Sequence, residues 1–249
     1  MNSPKRRNET NSHGQTVGFN TSNWQAPQAI HSARETQGLN GRYCQLVWLE
    51  DKHAPLLKDI FAEASDSLWT YLPYGPFKDL SGYEELIDTL NTNWRKTSQA
   101  YCIQSADGEN TLGFSAYLRM MPETGSIEIG HLCFSPRLQK TPAATEAIFL
   151  MLDAVFKLGY RRCEWKCNDL NLPSIKAAKR YGFSYEGTFR QAQIVKKHNR
   201  DTAWFSILDH EWPKLKTCFE SWLQPSNFDG QGRQIKALSE LTKEIEPQK

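Results

Sequence analysis

Hydrophobic and polar positions follow two different repeats along the middle of the chain. A repeat near 3.6 residues indicates a helix that is apolar on one face, and a repeat of two indicates a half-buried strand. The clearest helical pattern runs from Ala144 to Leu158 and ends at Gly159, a typical C-cap residue. Strand patterns lie at 42–49, 100–105, 111–121, 126–135, 161–167, 184–196 and 202–209, and further helical patterns at 56–64, 82–96, 171–181 and from Trp212 to Trp222.

The order of these elements is β-α-α-β-β-β-α-β-α-β-β-α. It combines antiparallel hairpins with one strand–helix–strand unit, which predicts the α+β (mixed α/β) class with a mostly antiparallel central sheet flanked by helices. The two ends lack either repeat and are rich in polar residues. We therefore expect a disordered or loosely ordered N-terminal tail over 1–38, one folded domain over 39–223 and a polar C-terminal tail over 224–249.

Composition narrows the classes of protein that fit. The chain has 249 residues, 39% of them hydrophobic, and a net charge of +2, an ordinary globular balance that implies neither a membrane nor a nucleic-acid partner. The first residues are polar, and no apolar run is long enough for a membrane span, so we expect a cytoplasmic protein. The six cysteines include no CxxC pair, which favours free thiols and no metal site.

The segment from Phe134 to Ala147 carries the first candidate chemistry. It runs from a strand through a turn into the long helix, whose first backbone N–H groups have no partner within the helix. Together with the helix dipole, the small residues Ala143 and Ala144 and the charge of Lys140, these groups favour binding of a pyrophosphate. The alternative is an ordinary turn that binds nothing.

Two short motifs in this region resemble a known family. Gln139-x-x-Pro142-x-Ala144 resembles the acetyl-CoA motif Q/R-x-x-G-x-G/A of the GNAT superfamily, and the following Thr-Glu-Ala is similar to the start of this helix in RimJ/RimL-like enzymes. Asn171-x-x-Ser174, followed by Gly-Phe, resembles the second cofactor motif. Pro142 departs from the motif because it has no N–H to donate to a phosphate.

The resemblance implies an N-acetyltransferase that moves an acetyl group from acetyl-CoA to a primary amine, either a protein N-terminus or a small molecule. It implies a sheet of about six to seven strands with one splayed pair, and no metal. Acetyl-CoA is then bound by three groups of residues: Cys133, Phe134 and Ser135 at the strand end; Gln139, Lys140, Thr141, Ala143, Ala144 and Thr145 at the turn and helix start; and Asn171 at the pantetheine arm.

The same resemblance suggests the catalytic groups. Glu128 lies six residues before Phe134 on one strand, the spacing of the general base in histone-acetyltransferase-type members; the alternative is a solvated glutamate. Strand alternation turns His131 to the opposite face, in a structural role. Ala178 stands where many members have the tyrosine that protonates the thiolate, so Ser174 is the candidate beside the sulfur; its alternative is a first-turn serine.

An aromatic run over 68–77 is the candidate acceptor side. Two prolines and a glycine make it a stiff loop, and Trp69, Tyr71 and Tyr74 offer rings to an amine. The alternative is that these rings cover the core.

Three other functions stay open: a catalytically weak acyl-CoA-binding scaffold or sensor, transfer of a longer acyl group, and a nucleic-acid-binding module. The last is suggested by eleven Lys or Arg against three acids over 157–200, although a CoA cleft explains the same excess, and a nucleic-acid partner is not expected. The acceptor and the oligomeric state stay undetermined at this stage.

Overall fold

The computed structural model describes residues 7–33, 36–93 and 97–243. Residues 94–96 of the predicted second helix and the ends of both predicted tails lie outside these ranges. The strands are β1 Glu9–Thr10, β2 Thr16–Val17, β3 Gly38–Asn40, β4 Cys44–Trp48, β5 Gln99–Ser105, β6 Thr111–Met121, β7 Ser126–Phe134, β8 Arg162–Asn168, β9 Ser184–Val195 and β10 His198–Leu208. The helices are α1 Ala54–Ala62, α2 Leu80–Asp88, α3 Pro142–Lys157, α4 Leu172–Arg180, α5 Trp212–Trp222 and α6 Leu238–Lys243.

The described chain forms one large mixed sheet, which confirms the predicted fold class. Its strand order is β3-β4-β5-β6-β7-β8-β10-β9. All neighbours are antiparallel except β7 and β8, which are parallel. The eighth strand, beyond the predicted six to seven, is β3, a short edge strand with a single buried residue, Leu39, too short for its alternation to be recognised.

Helices cover both faces of this sheet. On one face, α3 and α5 pack over a core that includes Ile148, Met151 and Phe219. On the other, α1 and α2 pack over a core that includes Leu57, Ile87 and Phe114. The long β9–β10 hairpin extends past the sheet: β10 begins at His198, four residues before its predicted start at 202. The face with α1 and α2 is the one on which the hairpin and the aromatic loop meet.

The described N-terminal segment packs against the domain, contrary to the loose tail expected over 1–38. Ile30 is fully buried within the core. The indole N–H of Trp24 donates to the Gly159 carbonyl at 3.2 Å, and the Tyr160 hydroxyl donates to the Gln28 carbonyl at 3.2 Å. The sequence pattern did not reveal these contacts. They come from single residues, Trp24 and Ile30, and from a backbone carbonyl within a stretch that is otherwise polar.

The described C-terminal segment docks as well, contrary to the tail expected from 224. Leu238 is fully buried at the start of α6. Phe228 packs edge-on against Trp222, with ring centroids 5.1 Å apart, and the indole N–H of Trp222 donates to Oε1 of Gln234 at 3.0 Å. Isolated apolar residues in a polar stretch carry no repeat, so the sequence pattern did not reveal them.

Candidate active site

The parallel pair β7–β8 is hydrogen-bonded over a short stretch only. Ser126–Glu128 pairs with Arg162–Glu164, whereas β7 continues to Phe134 and β8 to Asn168. A cavity of about 770 Å³ lies beyond Glu128, where the pairing ends. Separated strands leave backbone N–H and C=O groups without sheet partners. This gap is therefore a place where an extended ligand can bind between two strands.

The end of β7 presents its backbone to the gap at alternate residues. The N–H of Ser135 donates to the Leu112 carbonyl on β6 at 3.0 Å, and alternation turns the N–H of Cys133 the same way. The N–H of Phe134 therefore faces the gap, while its carbonyl accepts a hydrogen bond from Nε2 of Gln139 at 2.8 Å. Three residues were expected to bind pantetheine through their backbone. Of these, Phe134 is the one whose N–H faces the gap.

The start of α3 has fewer unpartnered N–H groups than the motif resemblance implied. Thr141 is the N-cap: its Oγ1 accepts from the N–H of Ala144 at 3.2 Å and donates to the Leu138 carbonyl at 2.6 Å. Pro142 has no N–H. Among the described residues, the N–H of Ala143 is the donor of this first turn for which no partner is present.

The other residues expected at the pyrophosphate fall into two groups. Lys140 lies on the turn, is exposed and adopts the left-handed region, with φ of 61°. The N–H of Gln139 donates to the Ser135 carbonyl at 3.1 Å. Thr145 is buried and accepts from a guanidinium nitrogen of Arg180 at 3.0 Å, so its side chain is turned away from the turn. Ala144 is likewise buried in the core.

The start of α4 borders the gap from the other side. Asn171 caps the helix through Oδ1, which accepts the N–H of Ser174 at 3.2 Å. The Ser174 hydroxyl accepts the indole N–H of Trp165 at 3.0 Å, which leaves its own proton for another acceptor. Asn171 and Ser174 both line the cavity. Ala178 is fully buried, so the position of the missing tyrosine is a packing position here.

Glu128 lies at the point where β7 and β8 separate, and it lines the cavity although it is only 2% exposed. Its Oε1 accepts from Arg119 at 2.6 Å, and its Oε2 accepts from Arg119 at 2.7 Å and from Lys166 at 2.9 Å. Each carboxylate oxygen has about two acceptor sites. Oε1 therefore keeps a site for one more donor.

These contacts belong to a chain of alternating charges that crosses the sheet. Lys166 also binds Glu164 at 2.7 Å, Glu164 binds Arg162 at 2.8 Å, and Arg162 binds Glu186 at 2.5 Å. Burial alone raises the pKa of Glu164, but its bonds to Lys166 and Arg162 outweigh this and hold that pKa below its usual value. The chain thus fixes β6, β7, β8 and β9 on the face that carries the cavity.

The aromatic loop is divided between core and cavity. Trp69 is 3% exposed and packs against Phe61 and Phe77 at 5.3 and 5.2 Å between ring centroids. Tyr74 is partly buried and is stacked on Phe77. Tyr71 lines the cavity, and its hydroxyl donates to the Leu170 carbonyl at 3.1 Å. The structure therefore places Trp69 and Tyr74 in the packed core beside the site and Tyr71 at the site.

His131 lines the cavity too, contrary to the face expected from alternation. Two residues of β7, His131 and Leu132, lie opposite one residue of β6, Ser115, and His131 adopts a φ of 49° in this bulge. Its Nδ1 is 2.8 Å from the Tyr74 hydroxyl. Burial, with Arg119 and Arg200 nearby, lowers the pKa of His131 to about 4, so the imidazole is neutral at neutral pH.

Comparisons with known proteins agree on the family of this domain. A family profile described as "Acetyltransferase (GNAT) domain" matches residues 45–184. The chain is similar to the Bacillus subtilis protein YnaD, described as an uncharacterized N-acetyltransferase, with 27% identity over 157 residues that cover 61% of this chain and 88% of that protein.

Solved structures extend the similarity to most of the chain. A GCN5-related N-acetyltransferase from Brucella melitensis is 38% identical, covers 90% of this chain and 100% of its own, and superposes with a TM-score of 0.83. A probable GNAT acetyltransferase from Chromobacterium violaceum is 40% identical over 79% of this chain and 96% of its own, with a TM-score of 0.73. The fold is also shared by RimL, a ribosomal L7/L12 α-N-protein acetyltransferase solved in complex with coenzyme A, at 17% identity, 68% and 95% coverage and a TM-score of 0.58.

Two further findings concern the described residues alone. None of their helices has both the length and the apolar character needed to cross a bilayer. Within the same ranges, His, Cys, Asp and Glu side chains do not come together in groups of three or more that could hold a metal ion.

Proposed function

The chain belongs to the GNAT acetyltransferase family, and on that basis we propose that it transfers an acetyl group from acetyl-CoA to a primary amine in the cavity beside Glu128. The observation that supports this most directly is the gap between β7 and β8. It is open at the strand end, bordered by two helix starts, and continuous with a cavity on the α1–α2 face.

The cofactor side of this proposal uses backbone and short side chains. We propose that the Phe134 N–H and the Asn171 side chain bind the pantetheine arm. We propose that the Ala143 N–H and the Lys140 ammonium bind the pyrophosphate at the start of α3. Because this turn has one free helix N–H, we expect the charge of Lys140 to contribute a larger share of the pyrophosphate binding energy than the motif alone suggests.

The reaction joins the amine nitrogen to the acetyl carbon, breaks the carbon–sulfur bond and moves one proton from nitrogen to sulfur. We propose that the free acceptor site on Oε1 of Glu128 takes the amine proton, directly or through a water. The Ser174 hydroxyl, whose oxygen is held by Trp165, is placed to donate to the departing thiolate. The neutral imidazole of His131 offers a second hydrogen-bonding group on the same wall of the cavity.

A charge placed at the start of α3 tests the proposal. We expect Ala143→Asp to lower acetyl-CoA affinity about ten- to a hundredfold, because the added carboxylate repels a phosphate bound at this N–H. The fold should survive, since Asp in the first turn of a helix is favourable. Isothermal calorimetry measures the affinity, and Ala106→Asp in the exposed β5–β6 turn is the control with the same added charge.

Turnover is measured in parallel as thiol release with a panel of amines and N-terminal peptides. Acetyl-CoA binding with amine-dependent thiol release supports the transferase. Binding without turnover on any amine would favour the scaffold or sensor function instead, and unchanged affinity in Ala143→Asp would remove the α3 start from the cofactor site.

A further inference from the structure

Strand β10 presents three side chains with unused hydrogen-bonding groups to the cavity. Within the described residues, Nε of Arg200, Oγ1 of Thr202 and Nε1 of Trp204 are buried and have no hydrogen-bond partner. All three residues line the cavity, and their positions alternate along the strand, so they share one face. Buried polar groups of this kind are nearly always satisfied in folded proteins, which points to a ligand that accepts hydrogen bonds here.

The hydrogen-bonding character of these three atoms limits which ligands can bind. The guanidinium Nε and the indole Nε1 are donors only, and a hydroxyl is a donor or an acceptor. A ligand that satisfies all three together therefore presents oxygen acceptors, as a carboxylate does. A bare ammonium group, the charged form of the acceptor amine, is a donor only, so it cannot accept a hydrogen bond from the guanidinium Nε or the indole Nε1.

The net charge of the cavity further limits which ligands can bind. The chain of alternating charges described above contains three cations, Arg119, Lys166 and Arg162, and three carboxylates, Glu128, Glu164 and Glu186, and so sums to zero. Arg200 stands outside this chain and forms no ion pair with the described residues. It leaves one uncompensated positive charge on the cavity wall.

The nearest acid in sequence does not compensate Arg200. Asp201 lies on the opposite face of β10, where its Oδ1 accepts from the Gln191 N–H at 2.7 Å and from Asn199 at 2.9 Å. Burial lowers the pKa of Arg200, the effect of an environment that disfavours its charge. A partly buried arginine without a counter-ion is costly until an anion binds beside it.

We propose that the acceptor amine carries a side-chain carboxylate, bound by Arg200 with Thr202 and Trp204, while its nitrogen lies beside Glu128. The class is an amino-acid-like amine: either a free acidic amino acid or a peptide whose first residue is Asp or Glu. This inference rests on the transferase function proposed above and specifies its substrate class.

The same charge arrangement affects which amines can enter the cavity. Because the cavity has a net positive charge before the acceptor binds, it disfavours entry of an ammonium group that brings no negative charge. A carboxylate on the acceptor offsets the unfavourable entry of an amine next to Arg119, Lys166 and Arg200. The cavity therefore selects amines that bring their own negative charge.

The test compares acceptors that differ only in charge. Glutamate is paired with glutamine, and tetrapeptides that begin with Glu are paired with the same peptides that begin with Gln. We expect kcat/KM to be about ten- to a hundredfold higher for the acidic member of at least one pair, mainly through KM, as for a charge-assisted hydrogen bond. A preference among the free amino acids identifies a small-molecule acceptor, and one among the peptides identifies an acidic N-terminus.

Variants of β10 locate the effect. Arg200→Gln should bring KM for the acidic member to that of its neutral partner and leave KM for acetyl-CoA unchanged. Arg190→Gln removes an exposed charge outside the cavity on the adjacent strand and should keep the preference. Thr202→Val should melt at the same or a higher temperature, because it removes an unpartnered hydroxyl, yet bind the acidic acceptor more weakly.

Acceptor binding is also measured without turnover, by calorimetry of glutamate and glutamine with protein saturated with CoA. Equal affinities and equal kcat/KM within every pair, or a preference that persists in Arg200→Gln, would overturn the inference while amine-dependent thiol release still supports the transferase. Absence of acetyl-CoA binding in the unmodified protein would contradict the transferase itself, and calorimetry of glutamate and glutamine with protein free of CoA would still decide the carboxylate site.

Discussion

At the scale of single residues, two buried glutamates, each within an apolar stretch of the sequence, have different roles in the structure. Glu146, in the Thr-Glu-Ala segment of α3, accepts the backbone N–H groups of Arg42, Tyr43 and Cys44 at 2.8, 2.5 and 2.9 Å. A Cβ at Gly41 would overlap this carboxylate, which explains the glycine there. Glu146 therefore ties the turn before β4 to α3, whereas Glu128 faces the cavity.

Replacing Glu146 tests its structural role. We expect Glu146→Gln to lower the free energy of unfolding by about 2–3 kcal/mol, because an amide nitrogen replaces an oxygen that accepts backbone N–H groups. Chemical denaturation measures the change, with Glu84→Gln on the exposed face of α2 as the control. A loss no larger than that of the control would show that the turn holds without this carboxylate.

Replacing Glu128 tests the proposed proton acceptor. We expect Glu128→Gln to lower kcat about 10²–10⁴-fold with acetyl-CoA saturating, as for loss of a general base. Arg119→Gln breaks the same ion pair from its other side but keeps the carboxylate, so we expect a smaller loss of kcat. Equal losses in the two variants would indicate that Glu128 acts by holding Arg119.

At the scale of elements, the sequence pattern was informative wherever the backbone was regular. The helix predicted from 144 begins two residues earlier, at Pro142, and the strand pattern of 126–135 corresponds to β7. Alternation failed at His131 because one extra residue in β7 reverses the faces beyond it. A bulge of this kind depends on how two strands pair, and its signal in the sequence was Gly130, a glycine within the strand pattern directly before His131.

The site could be predicted in part for the same reason. Phe134, Asn171 and Ser174 lie at element ends that a motif can specify. Arg200, Thr202 and Trp204 face the cavity only because β10 pairs with β8 beside the gap. A basic excess over 157–200 was visible in the sequence, but the lack of a counter-ion at Arg200 is a property of the folded sheet.

At the scale of the whole molecule, both terminal segments belong to the folded unit. The N-terminal segment crosses the end of α3 and reaches the sheet edge, where the Thr36 carbonyl accepts from the Tyr101 hydroxyl at 2.8 Å. The C-terminal segment packs α6 against α4 and α5, with a hydrogen bond from Thr242 to the Arg180 carbonyl at 3.4 Å.

Truncation measures what the N-terminal segment contributes. Deleting residues 2–36 removes buried Ile30 and its neighbours, which we expect to cost about 3–5 kcal/mol. The melting temperature should then fall by about 10 °C or more. Deleting residues 2–18, whose described part includes the exposed β1–β2 hairpin, is the matched control. Equal melting temperatures for the two truncations would show that residues 19–36 do not stabilise the domain.

The short pairing of β7 with β8 has a mechanical consequence. Five strands lie on one side of that seam and three on the other, and hydrogen-bonded register joins them over three residue pairs. Within the sheet, the two sets of strands are therefore joined along a short edge, although one hydrophobic core lies against strands of both sets. We expect a pantetheine arm bound in the gap to add hydrogen bonds across this edge. Since acetyl-CoA and CoA both carry that arm, the edge would be reinforced throughout the chemistry and would lose this reinforcement only between departure of one cofactor and arrival of the next.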